Sequence, residues 1–197
     1  MQRTWKMIAL PAAVTLAILN GCESMPWNKG DDAKKMDATA ATAVANLSPS
    51  KAAATQPSWG KASGTVTFTP AGEGKVKVAY DLKGMTPGKH GFHIHEKGDL
   101  TAPDLSSAGP HFNPTKDKHA GPEADHRHAG DLGNVEADAS GNAKSSVTVT
   151  GISIATGAPD DVIGKSVILH EKADDLKSDP SGNSGGRIAG GVIEPKK

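Results

Sequence analysis

KVKVAYDL, residues 75–82, sets Val76, Val78, Tyr80 and Leu82 at every second position, with Lys77, Ala79 and Asp81 between them. A period of two sends alternate side chains to opposite faces of an extended chain, so this stretch reads as a strand with one buried face. The same period runs through its neighbours. Val66 and Phe68 alternate with threonines in GTVTFTP (64–70), and Val147 and Val149 alternate in SSVTVT (145–150). Turn residues separate these runs, PAGEG (70–74) between the first two and DASGN (138–142) ahead of the third. The short stretches ATAVANL (41–47), GKSVILH (164–170) and GRIAGGVI (186–193) extend the series. No helical period of useful length follows residue 37. Several short strands joined by Gly/Pro-rich turns specify an all-β sandwich or barrel.

Upstream of this pattern the chain has a different character. MQRTWKMIALPAAVTLAILNGC (1–22) has Arg3 and Lys6 ahead of an apolar run over 7–19, the layout of a secretory signal. That run contains Pro11 and falls short of the about 20 residues that a spanning helix needs. Leu19-Asn20-Gly21-Cys22 resembles a bacterial lipobox, with cleavage before Cys22 and a lipid on its sulfur. Cys22 is the sole cysteine of the chain, so no internal disulfide can form. Residues 1–21 are therefore read as a lipoprotein-type signal peptide, 22–37 as a flexible tether and 38–197 as one domain. Removing Arg3 and Lys6 with the signal turns 22 basic and 22 acidic residues into 20 against 22, a net charge of about −2. No basic surplus remains to hold a nucleic acid. The expected location is a bacterial cell envelope, lipid-anchored facing the periplasm or at the cell surface. Glu23 after Cys22, in place of an aspartate, favours the outer membrane.

The candidate chemistry lies around two loop-like stretches. In GFHIHE (91–96), strand parity puts Phe92 and Ile94 on one face and His93 with His95 on the other. Residues 97–130 follow without a strand or helix period, rich in Gly, Pro, Asp and His; a loop of that length usually carries function or is held by ligands. It contains His111, His119 and His128 and leads into Asp131, and three histidines with one aspartate suit a tetrahedral zinc ion. Imidazole also suits copper, so the strand pair His93 and His95 can belong to a second, redox-active metal. His170, in LHEKADDL (169–176), is a seventh metal-capable side chain. A polar loop that merely collected histidines is the bland alternative, and the spacing disfavours it.

GFHIHE, AGPHFNPTKDKHAGPEADHRHAGDLGN (108–134) and LHEKADDL closely resemble copper,zinc superoxide dismutase, with the likeness running over residues 38–193. The resemblance implies a Greek-key β-barrel or flattened sandwich of about eight antiparallel strands with two long functional loops. It implies superoxide as substrate and copper and zinc as cofactors. By motif, His93, His95, His111 and His170 resemble the copper ligands, and His111, His119, His128 and Asp131 the zinc ligands, with His111 shared by both metals. In that chemistry copper cycles between Cu(II) and Cu(I), and the shared, catalytic histidine leaves copper, takes a proton and returns it. Asp174 resembles the carboxylate that links a copper-ligand histidine to a zinc-ligand histidine, and Arg187, in GGRIAGG, the catalytic arginine that holds superoxide beside copper. Motif spacing to Asp131 favours His128 over His126, and His90 falls on the Phe92 side of its strand.

Two features depart from the family pattern. The usual disulfide joins a cysteine in the loop before AGPHF to one in the last strand, but here the loop reads DLTAPDLSSAGPHF (99–112) and the strand reads RIAGGVI (187–193), with Gly190 at the matching place. LKSDPSGNSGG (176–186) is also shorter than the charged loop of eukaryotic members, which leaves Lys172 and Lys177 as candidate steering charges only. A homodimer is one assembly the family allows. A metal buffer or chaperone on the same barrel is the rival reading, which loss of copper ligands or of the arginine would support. A zinc-stabilised surface lipoprotein is another, and it leaves His93, His95 and His170 without a role.

With no disulfide, metal binding becomes the main restraint on the long loop. Thermal melts before and after chelation check this. The metal-free protein should melt far below the metallated one, and two melting points within a few degrees would contradict the reading.

Overall fold

The computed structural model describes residues 41–197. The signal peptide, the tether and Cys22 lie outside the described residues. Within them the alternation becomes eight strands: β1 (Ala43–Pro49), β2 (Ser63–Pro70), β3 (Val76–Lys83), β4 (Gly88–His95), β5 (Asp131–Ala137), β6 (Ala143–Val149), β7 (Ser166–His170) and β8 (Arg187–Pro195). The helical content among the described residues is three single 3-10 turns, Ala53–Thr55, Pro57–Trp59 and Ser106–Ala108.

The strands form one antiparallel array in the order β5-β4-β7-β8-β1-β2-β3-β6. β5 and β6, at its two edges, are joined by the turn at 138–142, so the array curls into a nearly closed barrel. Strands β4, β5 and β6 thus follow one another around the barrel, while β3 lies beside β6 and β7 beside β4. Those two returns make the Greek-key pattern. The turn at the seam closes through Asp138 N–H to Asn142 O (2.8 Å) and Gly141 N–H to Asp138 O (2.9 Å), and Met85 N–H donates to Gly141 O. Gly141 has φ +77°, and a Cβ there would sit 2.3 Å from the Met85 carbonyl oxygen, so this position requires glycine.

The core follows the period of two. Val76, Val78 and Leu82 of β3 are buried beside Val66 and Phe68 of β2, Phe92 and Ile94 of β4, and Val167 and Leu169 of β7. Tyr80 is only half-buried and closes the edge of this core by an edge-on contact with Phe92, ring centroids 5.6 Å apart. On the other face of β4, His93 and His95 point away from the apolar core as parity requires, yet both are fully buried. The loops 96–130 and 171–186 roof them. Gly91 N–H donates to Lys172 O and Phe112 N–H to Ile94 O, and His95 pairs with His111 in an isolated antiparallel bridge.

β5 was not apparent in the sequence. DLGNVEA begins with a charged residue at the exit of a loop, and its buried positions Asp131, Leu132, Gly133, Val135 and Ala137 do not alternate cleanly. Its pairing with β4 is irregular between Gly91 and His93, where the register shifts.

Candidate metal centre

Two groups of buried side chains each bring one ligand atom per residue within 4.8 Å of the others: His93, His95, His111 and His170, and His111, His119, His128 and Asp131. These are the two sets read from the sequence, and His111 belongs to both. β4 supplies His93 and His95, the end of β7 supplies His170, and the start of β5 supplies Asp131. His111, His119 and His128 come from the long loop. His126 stays outside, its side chain 88% exposed with a ring nitrogen 3.5 Å from Asp117. His90 is buried in β4 with Nδ1 2.8 Å from the His170 carbonyl and Nε2 2.8 Å from the Thr86 carbonyl, so it braces the scaffold outside both groups.

In the second group the Nδ1 atoms of His111, His119 and His128 lie 2.8, 3.0 and 3.3 Å from Asp131 Oδ1. The other carboxylate oxygen of Asp131 accepts the backbone N–H of Ala120 and of His128, which fixes the carboxyl plane. Three histidine nitrogens and one carboxylate oxygen facing one point form a donor set for zinc. In the first group, His95 Nδ1 donates to Gly109 O (2.8 Å) and His170 Nδ1 lies 3.3 Å from Gly185 O, so the Nε2 atoms of both rings face inward, 3.4 Å apart. His93 is turned the other way: its Nε2 donates to Asp174 Oδ2 at 2.8 Å, leaving Nδ1 inward.

Asp174 joins the two groups. Its Oδ2 takes His93 of the first and its Oδ1 takes His119 Nε2 of the second, at 2.9 Å. Such partners fix ring orientation and tautomer. Asp174 is itself clamped by Asn134, which donates Nδ2–H to Asp174 O and accepts Asp174 N–H.

Two buried ring nitrogens, His93 Nδ1 and His111 Nε2, have no hydrogen-bond partner among the described residues, and a third, His119 Nδ1, makes no well-aligned hydrogen bond although it lies 3.0 Å from Asp131 Oδ1. Burying a polar atom unpaired costs roughly 1–3 kcal/mol, so a partner outside the protein chain is called for. The positions of these atoms assign that partner. His93 Nδ1 and His111 Nε2 face the first group and His119 Nδ1 the second, which is what lone pairs reserved for metal ions look like. The residues present therefore fit two ions.

Comparison with known proteins agrees. Residues 62–193 match the family copper/zinc superoxide dismutase (SODC). The chain belongs to the copper/zinc superoxide dismutase family. A crystal structure of the clock protein EA4 superposes with a TM-score of 0.68 at 41% sequence identity, covering 79% of this chain and 95% of that one. Copper and zinc are the cofactors of the family, and the two side-chain groups can bind them.

In this superoxide dismutase homologue, Arg187 opens β8, half-buried, with Nη1 donating to Leu105 O (2.7 Å) and Nη2 to Gly109 O (2.8 Å). Gly109 O is also the acceptor for His95 Nδ1, so one carbonyl aligns the arginine and a ring of the first group. Two positioning residues escaped the sequence reading. Asn134 is one. Arg127, buried between two histidines of the loop, donates to the carbonyls of Pro122, His128 and Thr150 and so sets the backbone that carries His128. An arginine in a polar loop carries no sequence mark of burial. Lys172 is exposed, and Lys177 as well.

Burial sets the charge state of the first group. It pushes His93 below its ordinary value, His95 and His170 well below theirs, and His111 down to about 4. Burial also opposes charge on His119, but the Asp131 and Asp174 carboxylates together outweigh it and raise that ring to about 10. Asp174 is likewise held down at about 2, because hydrogen bonds from His119 and His93 overcome burial. Neutral imidazole is the form that binds metal, so the rings of the first group are ready for it, whereas metal binding at His119 displaces a proton.

A pH dependence follows for the metal-free protein. Below the unfolded histidine value of 6.5 the unfolded chain takes up protons while the four depressed histidines resist them in the folded chain, His111 down to about 4. Their contribution is present above 6.5 and lost as pH falls through the folded values. His119 works in the opposite sense, losing its contribution only as pH rises through about 10. Calorimetry should show the melting temperature of the metal-free protein dropping from pH 6.5 toward pH 4, and a flat profile over that window would be inconsistent with four buried neutral rings.

Proposed function

We propose that this protein dismutates superoxide, converting two superoxide anions and two protons to dioxygen and hydrogen peroxide. The single observation that carries the reading is His111, whose two ring nitrogens face different groups: Nδ1 toward Asp131, Nε2, without a partner, toward His93, His95 and His170. In this reading His93, His95, His111 and His170 hold copper, and His111, His119, His128 and Asp131 hold zinc. Copper held there would supply the one-electron redox chemistry that dismutation needs.

The residues do the rest. His111 Nε2 is the atom placed to carry a proton: with Nδ1 held on the Asp131 side, it would take one up and give it to the second superoxide as peroxide forms, the second proton coming from solvent. Asp174 keeps His93 and His119 in fixed orientations throughout. Arg187 binds the anion. Two of its five N–H donors are spent on Leu105 O and Gly109 O, and the remaining three, which make no hydrogen bond among the described residues, would serve superoxide. Burial of the rings excludes water from the first group and strengthens every charge interaction there.

Likeness to a clock protein means that the fold alone does not decide catalysis. The deciding experiment is superoxide consumption by purified, metal-quantified protein, repeated with cyanide, which ligates copper. One copper and one zinc per chain with cyanide-sensitive dismutation is the outcome this reading requires. Full metal content without dismutation would favour a metal buffer. Arg187→Ala should keep both metals and lose about tenfold or more of the rate, and undiminished activity at equal metal loading would remove Arg187 from the mechanism.

A further inference from the structure

The carbonyls that aim Arg187 sit on a loop with no covalent tie to the barrel. Leu105 and Gly109 belong to the stretch after β4, whose family disulfide to the last strand this chain lacks. A small apolar cluster separate from the main core lies at that place: Leu105, Ala108 and Ile168, with Leu100 packed against them. It covers Gly190 of β8. A Cβ added at Gly190 would sit 2.8 Å from Ile168 Cδ1, 3.1 Å from Leu105 Cδ1 and 3.4 Å from Leu100 Cδ2, so the cluster occupies the volume that a side chain at position 190 would need.

Leu105 has φ +60°, a left-handed conformation that a leucine holds only when its surroundings fix it. Its side chain is 5% exposed, and its carbonyl oxygen accepts Arg187 Nη1. One residue thus inserts its side chain into the cluster and presents its carbonyl to the arginine. The segment after β1 adds a second hold, with Ala52 N–H donating to Pro103 O and Ser50 N–H to Ile188 O.

We propose that Leu105, seated over Gly190 in this apolar plug, is a positioning residue for Arg187, holding by packing a loop that no disulfide ties to β8. The plug fixes the Leu105 carbonyl, that carbonyl fixes the guanidinium, and the guanidinium meets the anion. Loosening the plug frees the Leu105 carbonyl, which serves Arg187 alone, while Gly109 O stays bonded to His95 Nδ1, so the seven metal-capable side chains keep their places and the arginine wanders. The proposal rests on the anion-binding role given to Arg187 above.

The test is a double-mutant cycle read with azide, a small monoanion that ligates copper, titrated by its absorption change on the copper- and zinc-loaded protein. Leu105→Ala should weaken azide binding about fivefold and lower the dismutation rate about as much, with metal content and the azide-free spectrum unchanged. Leu105→Met, which restores bulk, should recover both. In an Arg187→Ala background, Leu105→Ala should add no further loss. Equal losses in both backgrounds, or parental azide affinity in Leu105→Ala, would overturn the proposal. Should Leu105→Ala not fold, Leu100→Ala opens the same plug from its half-buried side and is judged by the same criteria. A parent that binds azide but does not consume superoxide would defeat the functional reading and leave the plug to be judged on the titration.

Discussion

Two ring nitrogens buried without a partner, His93 Nδ1 and His111 Nε2, with a third, His119 Nδ1, facing only a poorly aligned carboxylate 3.0 Å away, are the constraint on which the rest of the molecule depends. A protein of this size is stable by only about 5–15 kcal/mol, so unpaired buried donors and acceptors on this scale are not incidental. Every opposing nitrogen on those rings is pinned: His93 Nε2 and His119 Nε2 by the two oxygens of Asp174, His111 Nδ1 beside Asp131. The rings cannot rotate to find another partner without breaking those bonds. Metal ions held by the two groups, which have His111 in common, would resolve the conflict.

The barrel makes such a site affordable in conformational terms because it does not deform to build it. Its inner face is filled with valine, leucine, isoleucine and phenylalanine, and the outer face of β4 offers two histidines on a rigid strand. The remaining ligands arrive on loops, each held by backbone hydrogen bonds rather than by regular structure. Arg127 and Asn134 show how. One buried guanidinium gathers the carbonyls around His128, and one amide clamps both backbone groups of Asp174. Loss of either would loosen a metal-capable ring while leaving its metal-facing atom unchanged.

Much of this was legible in the sequence, for physical reasons. The strand period in 75–82 survives as β3 because strand burial is local and repeats. The parity of GFHIHE correctly separated Phe92 and Ile94 from His93 and His95, although it could not tell that both faces are buried, since the roof comes from residues far along the chain. His128 rather than His126 entered the cluster, as the spacing to Asp131 required. What escaped was what depends on tertiary neighbours: β5, whose alternation is broken at a shifted register; Arg127, whose burial leaves no trace in a polar loop; and Leu105, whose contact with Gly190 spans most of the domain.

The central claim is that one imidazole serves both metal groups. Anomalous diffraction at the copper and zinc edges, on crystals of the oxidised, fully loaded protein, tests it most directly. The expected result is copper among His93, His95, His111 and His170, zinc among His111, His119, His128 and Asp131, and the His111 ring bonded to zinc through Nδ1 and to copper through Nε2. A single metal position, or two positions with His111 bound to only one of them, would contradict it.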